Sequence, residues 1–233
     1  MKSIRRTLII TFLIISLVLT VSNVITLQNE TLITMDITEE IPVLDGIINL
    51  DEYSKSTSFD TGNFILYWQI EDEIIYLGFI GTTDGWVTIG IEPTESMLDA
   101  DMIFGWVNSD NTVGILDCFS TGKYGPHPPD TELGGTNDIL AYNGSEDAGK
   151  TTIEFSRKLA TGDQYDKEIP AIGEVNIIWA LGPSDNYLDK HTRKGVGTMS
   201  MSTDSTSDGT EQAASSFHFL IVILAIVGLT VKR

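Results

Sequence analysis

Few residues of this 233-residue chain could do chemistry at a reacting centre. It has three histidines (His127, His191 and His218) and one cysteine, Cys118. No G-x-S-x-G elbow, phosphate-cradling glycine loop, H-E-x-x-H pair or cysteine pair occurs. A Ser-His-Asp arrangement would need His127 or His191 as its base, and neither accompanies a recognisable nucleophile. No intramolecular disulfide is possible, and Cys118, inside an apolar run, reads as a small core residue. His127 lies in a loop with three prolines (Gly125-Pro126-His127-Pro128-Pro129), which predicts an exposed, rigid turn and at most a fallback metal contact. His191 lies among Lys190, Arg193 and Lys194, so a basic surface turn is its plain reading. The acids Asp84, Asp99, Asp101, Asp117 and Asp130 supply the oxygens Ca²⁺ requires, without the spacing of an EF-hand loop.

Short strands must position these residues. Runs rich in β-branched and aromatic side chains occupy 64–70, 74–80, 86–91, 102–107, 113–119, 139–142, 151–155 and 175–180. Turn residues such as Thr83-Asp84-Gly85, Ser109-Asp110-Asn111 and Asn143-Gly144 separate them. Alternation shows within them: Ile153 and Phe155 share one face, Thr152 and Glu154 the other. No segment carries a good helical stripe. About eight short strands at this spacing predict an all-β, antiparallel sandwich or barrel.

Both ends differ from this middle. Residues 8–24 are almost wholly apolar and follow Lys2, Arg5 and Arg6, so 1–28 is expected to be a signal peptide or signal anchor. Residues 213–231 form a second apolar run that stops at Lys232-Arg233, and at about 20 residues it is long enough for a transmembrane anchor. Between 201 and 216 a Ser/Thr/Asp-rich stretch reads as a stalk. All 33 acids lie between the ends, with only nine of the fourteen basic residues, so the acidic part is expected to face outward. Its charge argues against nucleic acid as a partner. The expected location is a cell membrane, crossed once, with the domain on the extracytoplasmic face.

A longer pattern runs through 40–200. It starts Asp45-Gly46-Ile47-Ile48 with Tyr53, then Tyr76-Leu77-Gly78-Phe79, Gly85-Trp86-Val87-Thr88-Ile89-Gly90 and Met97-Leu98-Asp99-Ala100-Asp101. It continues through Gly105-Trp106-Val107, Asp117, Pro129-Asp130, Phe155-Ser156-Arg157 and Thr161-Gly162-Asp163. It closes with Ile178-Trp179-Ala180 and Lys190-His191-Thr192-Arg193. Each piece is common, but this order and spacing resemble the DOMON domain, the module found beside dopamine β-monooxygenase and in the cytochrome part of cellobiose dehydrogenase. The resemblance implies an immunoglobulin-like β-sandwich that binds haem b or a sugar-like or other small ligand. In haem-binding members a methionine and a histidine hold the iron; the matching positions are Met97 and His191, with Leu98 and Asp99 where smaller residues are common. Such a pair suits one-electron transfer and raises the iron's potential. Trp86, Ile89, Phe104, Trp106 and Trp179 would supply apolar walls. Asp101, Asp117 and Asp163 are expected to order turns and pair with Arg157. The implied function is a membrane-tethered haem domain without catalytic residues of its own, which needs a separate redox partner. The alternatives are a non-redox surface module for a carbohydrate or other small ligand, or a structural role at the cell surface.

Overall fold

The computed structural model describes residues 40–201, and within them alternating apolar side chains build ten antiparallel strands in two five-stranded sheets. The first sheet has the order β1 (Lys55–Phe59), β2 (Phe64–Glu71), β3 (Ile74–Gly81), β8 (Lys150–Lys158), β7 (Ala141–Asp147). The second runs β10 (Arg193–Ser200), β9 (Glu174–Leu181), β4 (Val87–Ile91), β5 (Asp101–Val107), β6 (Val113–Phe119). One four-residue helix, α1 (Asp130–Leu133), interrupts the β6–β7 connection.

Every second residue of the central strands faces the space between the sheets. Phe64, Leu66, Ile75, Leu77, Phe79, Ile153 and Phe155 come from one side, and Val87, Ile89, Ile91, Ile103, Ile177 and Leu181 from the other; together they form one buried core. The Phe64 ring lies parallel to the Trp179 indole, with centroids 5.1 Å apart and an interplanar angle of 8°, and packs against Phe79 as well. Truncation there removes contacts across both sheets, so Phe64→Ala should cost about 3–5 kcal/mol in urea denaturation.

The buried Glu154 ties the chain's approach to this core. It accepts hydrogen bonds from the Gly46 N–H (2.7 Å) and the Tyr53 hydroxyl (2.8 Å), which gives the Asp45–Tyr53 stretch a structural purpose.

Eight of the strands answer to the predicted runs. The other two, β1 and β10, are polar edge strands with few apolar side chains. In β10 the glycines make room for rings: a Cβ on Gly195 would stand 2.6 Å from the Trp179 indole, and one on Gly197 2.2 Å from the Phe59 ring. The predicted strand at 139–142 lies further along, at Ala141–Asp147.

The second sheet is also covered on its outer side. Trp86, Ala100, Met102, Phe104, Cys118 and Ala180 form a second buried cluster there, with Trp106, Ile178 and Tyr187 packed against it. Burial on both faces explains why β4 and β5 lack polar alternation in the sequence. The cover consists of the β4–β5, β6–β7 and β9–β10 connections, and these loops build the site. The apolar ends at 8–24 and 213–231, and most of the stalk, lie outside the described residues. Among the described residues no helix is long and apolar enough to cross a membrane.

Candidate functional site

A cavity of about 790 Å³ opens between those three loops and the outer face of the second sheet. That volume is typical of a pocket for a small molecule or cofactor. Its floor is sheet: Thr88 from β4, Met102 from β5, Ile178 and Ala180 from β9, and Lys194 and Val196 from β10. The Thr88 hydroxyl is engaged by the Ile103 carbonyl at 2.7 Å, so the floor is largely apolar. Gly90 keeps it low, because a Cβ there would lie 2.7 Å from Ile178 Cγ1 and 3.3 Å from Met102 Cγ.

Met97 and His191, 94 positions apart in sequence, both line this cavity. Met97 comes from the β4–β5 loop, where Ser96 (φ 57°) and Asp99 (φ 60°) take left-handed conformations to turn the chain sharply. That loop is bound to the β6–β7 connection by Met97 N–H to Lys123 O (3.4 Å) and Asp99 N–H to Ser120 O (2.9 Å). The Asp99 carboxylate accepts a hydrogen bond from the Thr94 hydroxyl at 2.8 Å within its own loop. His191 comes from the β9–β10 connection, which is fixed by Asp189 accepting from Ser184 Oγ (2.6 Å) and Asn186 Nδ2 (3.0 Å). Burial lowers the proton affinity of His191, and the charges of Lys194 and Lys190 add to the effect. The imidazole is therefore neutral at pH 7, the form in which it binds metals.

Four of the seven residues expected at the site line the cavity: Met97, His191, Trp86 and Trp179. The other three do not, and Ile89 points the opposite way, into the core between the sheets. Phe104 is buried in the cluster beneath it, edge-on to Trp86, and Trp106 stacks on Tyr187 at 6.2 Å. Both lie on the outward side of β5, so alternation puts them on the correct face, but the loops cover them. The indole nitrogens of Trp86 and Trp179 are buried without a hydrogen-bond partner.

His127 departs from expectation. It is half-buried, lines the cavity, and its ring lies 4.8 Å from that of Phe104. Its loop folds back onto the sheet through Phe119 N–H to Pro128 O (3.1 Å) and Thr121 N–H to Pro126 O (3.0 Å). Burial lowers its proton affinity too, and its Nδ1 has no partner. Proline content signalled the rigidity of this loop but not its direction. Lysines gather at the same place: Lys123, paired with Glu95 at 2.6 Å, and Lys190 and Lys194, which make no ion pair among the described residues.

The family model for the DOMON domain matches residues 60–182, more than half of the chain. The chain belongs to the DOMON domain family. Curated relatives include Protein Skeletor, isoforms B/C, of Drosophila melanogaster, 27% identical over 156 residues, or 62% of this chain and 20% of that protein. DBH-like monooxygenase protein 1 of Mus musculus is 29% identical over 140 residues, covering 57% of this chain and 22% of that one. This DOMON chain thus matches about a fifth of the length of those relatives. Among solved structures, the cytochrome domain of Myriococcum thermophilum cellobiose dehydrogenase matches with a TM-score of 0.47 and 15% identity, over 66% of this chain and 84% of that one.

Proposed function

We propose that this DOMON domain binds haem b between Met97 and His191 and serves as a one-electron carrier. The observation that carries this reading is the convergence of those two side chains on one cavity of suitable size. The donor set fits the group: a thioether and a neutral imidazole are uncharged ligands that suit haem iron. The floor fits as well, since Gly90 leaves an apolar surface on which a flat macrocycle can rest. When bound, the haem supplies iron that cycles between two oxidation states. The protein's own part would be to hold Met97 and His191 on braced loops, limit water with Trp86, Trp179 and Leu188, and offer Lys190 and Lys194 to the acidic edge of the ligand. Protonation would remove the ring-nitrogen lone pair that iron needs, and burial moves that loss to lower pH by keeping His191 neutral.

The reading extends to place. Residues 1–28 serve for export, 201–216 as stalk and 213–231 as membrane anchor, supported by the two apolar runs and the basic residues flanking them. The domain then faces outward, and a separate protein exchanges electrons with it. The polar side chains of Ser96, Lys123, His127 and Asp189 at the same cavity favour, as second reading, a hydroxyl-rich ligand such as a carbohydrate.

Adding haem to the full chain and recording oxidised and reduced visible spectra decides between them. A sharp α-band on reduction is expected. A folded, colourless protein that takes up no haem rejects the cytochrome and leaves the hydroxyl-rich ligand.

A further inference from the structure

Behind the cavity, on the inward side of the same sheet, buried carboxylates gather around one arginine. Arg157 of β8 is wholly buried; its Nη1 lies 2.7 Å from Asp101 Oδ2 and its Nη2 3.5 Å from Asp166 Oδ2. Asp117 of β6 and Asp130 of α1 are buried nearby. One guanidinium thus pairs with two of the four acids. Their hydrogen bonding is one-sided. Asp101 Oδ2 accepts from Arg157 and from the Lys167 N–H at 2.9 Å, and Asp117 Oδ2 accepts from the Asp138 N–H at 2.8 Å. Asp101 Oδ1, Asp117 Oδ1 and both oxygens of Asp130 have no partner, although these side chains are 97–100% buried. A native interior rarely leaves charged oxygens bare, because each costs its full desolvation.

We propose that Asp101, Asp117 and Asp166 hold a calcium ion between the two sheets, with Asp130 beside it. Each of the three offers one oxygen, and these oxygens lie within 4.8 Å of one another. Calcium accepts such a carboxylate set in flexible geometry, whereas magnesium demands a near-ideal octahedron and gives up its waters reluctantly. An all-oxygen, carboxylate-rich donor set selects a hard cation over zinc or copper. The cation also offsets charge: with Arg157 it sets three positive charges against the four acids, where the arginine alone sets one. The fold carries the acids on separate elements, β5, β6, α1 and the β8–β9 connection, and one ion would tie all of them together.

The test uses the full chain, stripped with EGTA and titrated with CaCl₂ or MgCl₂ at physiological salt, where surface acids are screened. One saturable calcium equivalent is expected, with a melting midpoint raised by about 5 °C or more, and little response to magnesium. Asp117→Asn keeps an acceptor for the Asp138 N–H but should bind calcium at least about tenfold more weakly. Asp166→Asn provides the same readout if that variant fails to fold. The proposal is overturned if wild-type protein shows no saturable equivalent beyond its magnesium control. It is equally overturned if the folded variants bind calcium as wild type does. Haem uptake measured on the same samples is a separate readout, so either proposal can fail alone.

Discussion

Replacing Arg157 with leucine is expected to destabilise the domain by about 3–5 kcal/mol, the usual cost of removing one partner from a buried ion pair. The guanidinium is wholly buried and donates to Asp101, to the Lys158 carbonyl (3.3 Å) and to the Lys167 carbonyl (3.1 Å). Leucine removes the arginine's hydrogen bonds to those two carbonyls and leaves Asp101 and Asp166 without their buried counter-charge. Arg157→Lys restores the charge but not the planar fork, so it should recover only part of the loss. Urea denaturation in EGTA measures both. The pH dependence has a definite sign. Burial first, then neighbouring carboxylates, push Asp117 up to about 7 and Asp130 to about 8, and burial pushes Asp166 to about 6. Between the ordinary carboxylate range near 4 and these values, the folded chain binds more protons than the unfolded one, so stability falls as pH rises. The deficit of Arg157→Leu should therefore shrink as pH is lowered from about 8 to about 5, and a deficit that grows would refute this account.

Loss of His191 should be more damaging to haem binding than loss of Met97. A neutral imidazole is the stronger ligand, and its removal should weaken haem by more than the roughly 10–100-fold that outer partners of a metal site contribute. In Met97→Ala the haem should stay bound through His191 and lose the sharp α-band, because one axial position is empty. Its potential should drop, since the thioether favours reduced iron. Met97→His keeps six-coordination and should give a sharp band at lower potential. Visible spectra and spectroelectrochemistry read these outcomes. If His127 supplied the imidazole instead, His191→Ala would keep the wild-type spectrum and His127→Ala would lose it, which sinks the assignment of His191.

Much of the fold could be read in advance because strands buried on one or both faces announce themselves by alternating or unbroken apolar residues, as 64–70 and 113–119 do. The edge strands could not: Lys55-Ser56-Thr57-Ser58 and Arg193-Lys194-Gly195 pair by backbone and owe their place to neighbours such as Trp179 and Phe59. The site was legible through a family pattern and not through local chemistry. Nothing beside Met97 or His191 in the chain shows that three loops bring them to one cavity. His127 read as solvated because proline fixes a backbone without revealing which side it presents. Asp163 was expected to pair with Arg157; it instead accepts from the N–H groups of Thr136 and Tyr165 as a turn organiser, while Asp166, three residues on, is the one that reaches the arginine. Within one polar loop, the acid that turns inward is decided by tertiary contacts.

Strand β5 places Asp101 among the acids between the sheets and the next residue, Met102, on the floor of the cavity. β6 turns Asp117 inward and Cys118 outward, into the buried cluster beside that floor. These two strands are thus a partition one backbone thick, with a charged chamber on one side and an apolar one on the other. A partition of this kind has a single position, so the two chambers cannot change shape separately. Clamping β5 and β6 from within sets the level of the floor outside, and whatever rests on that floor bears on the acids in turn.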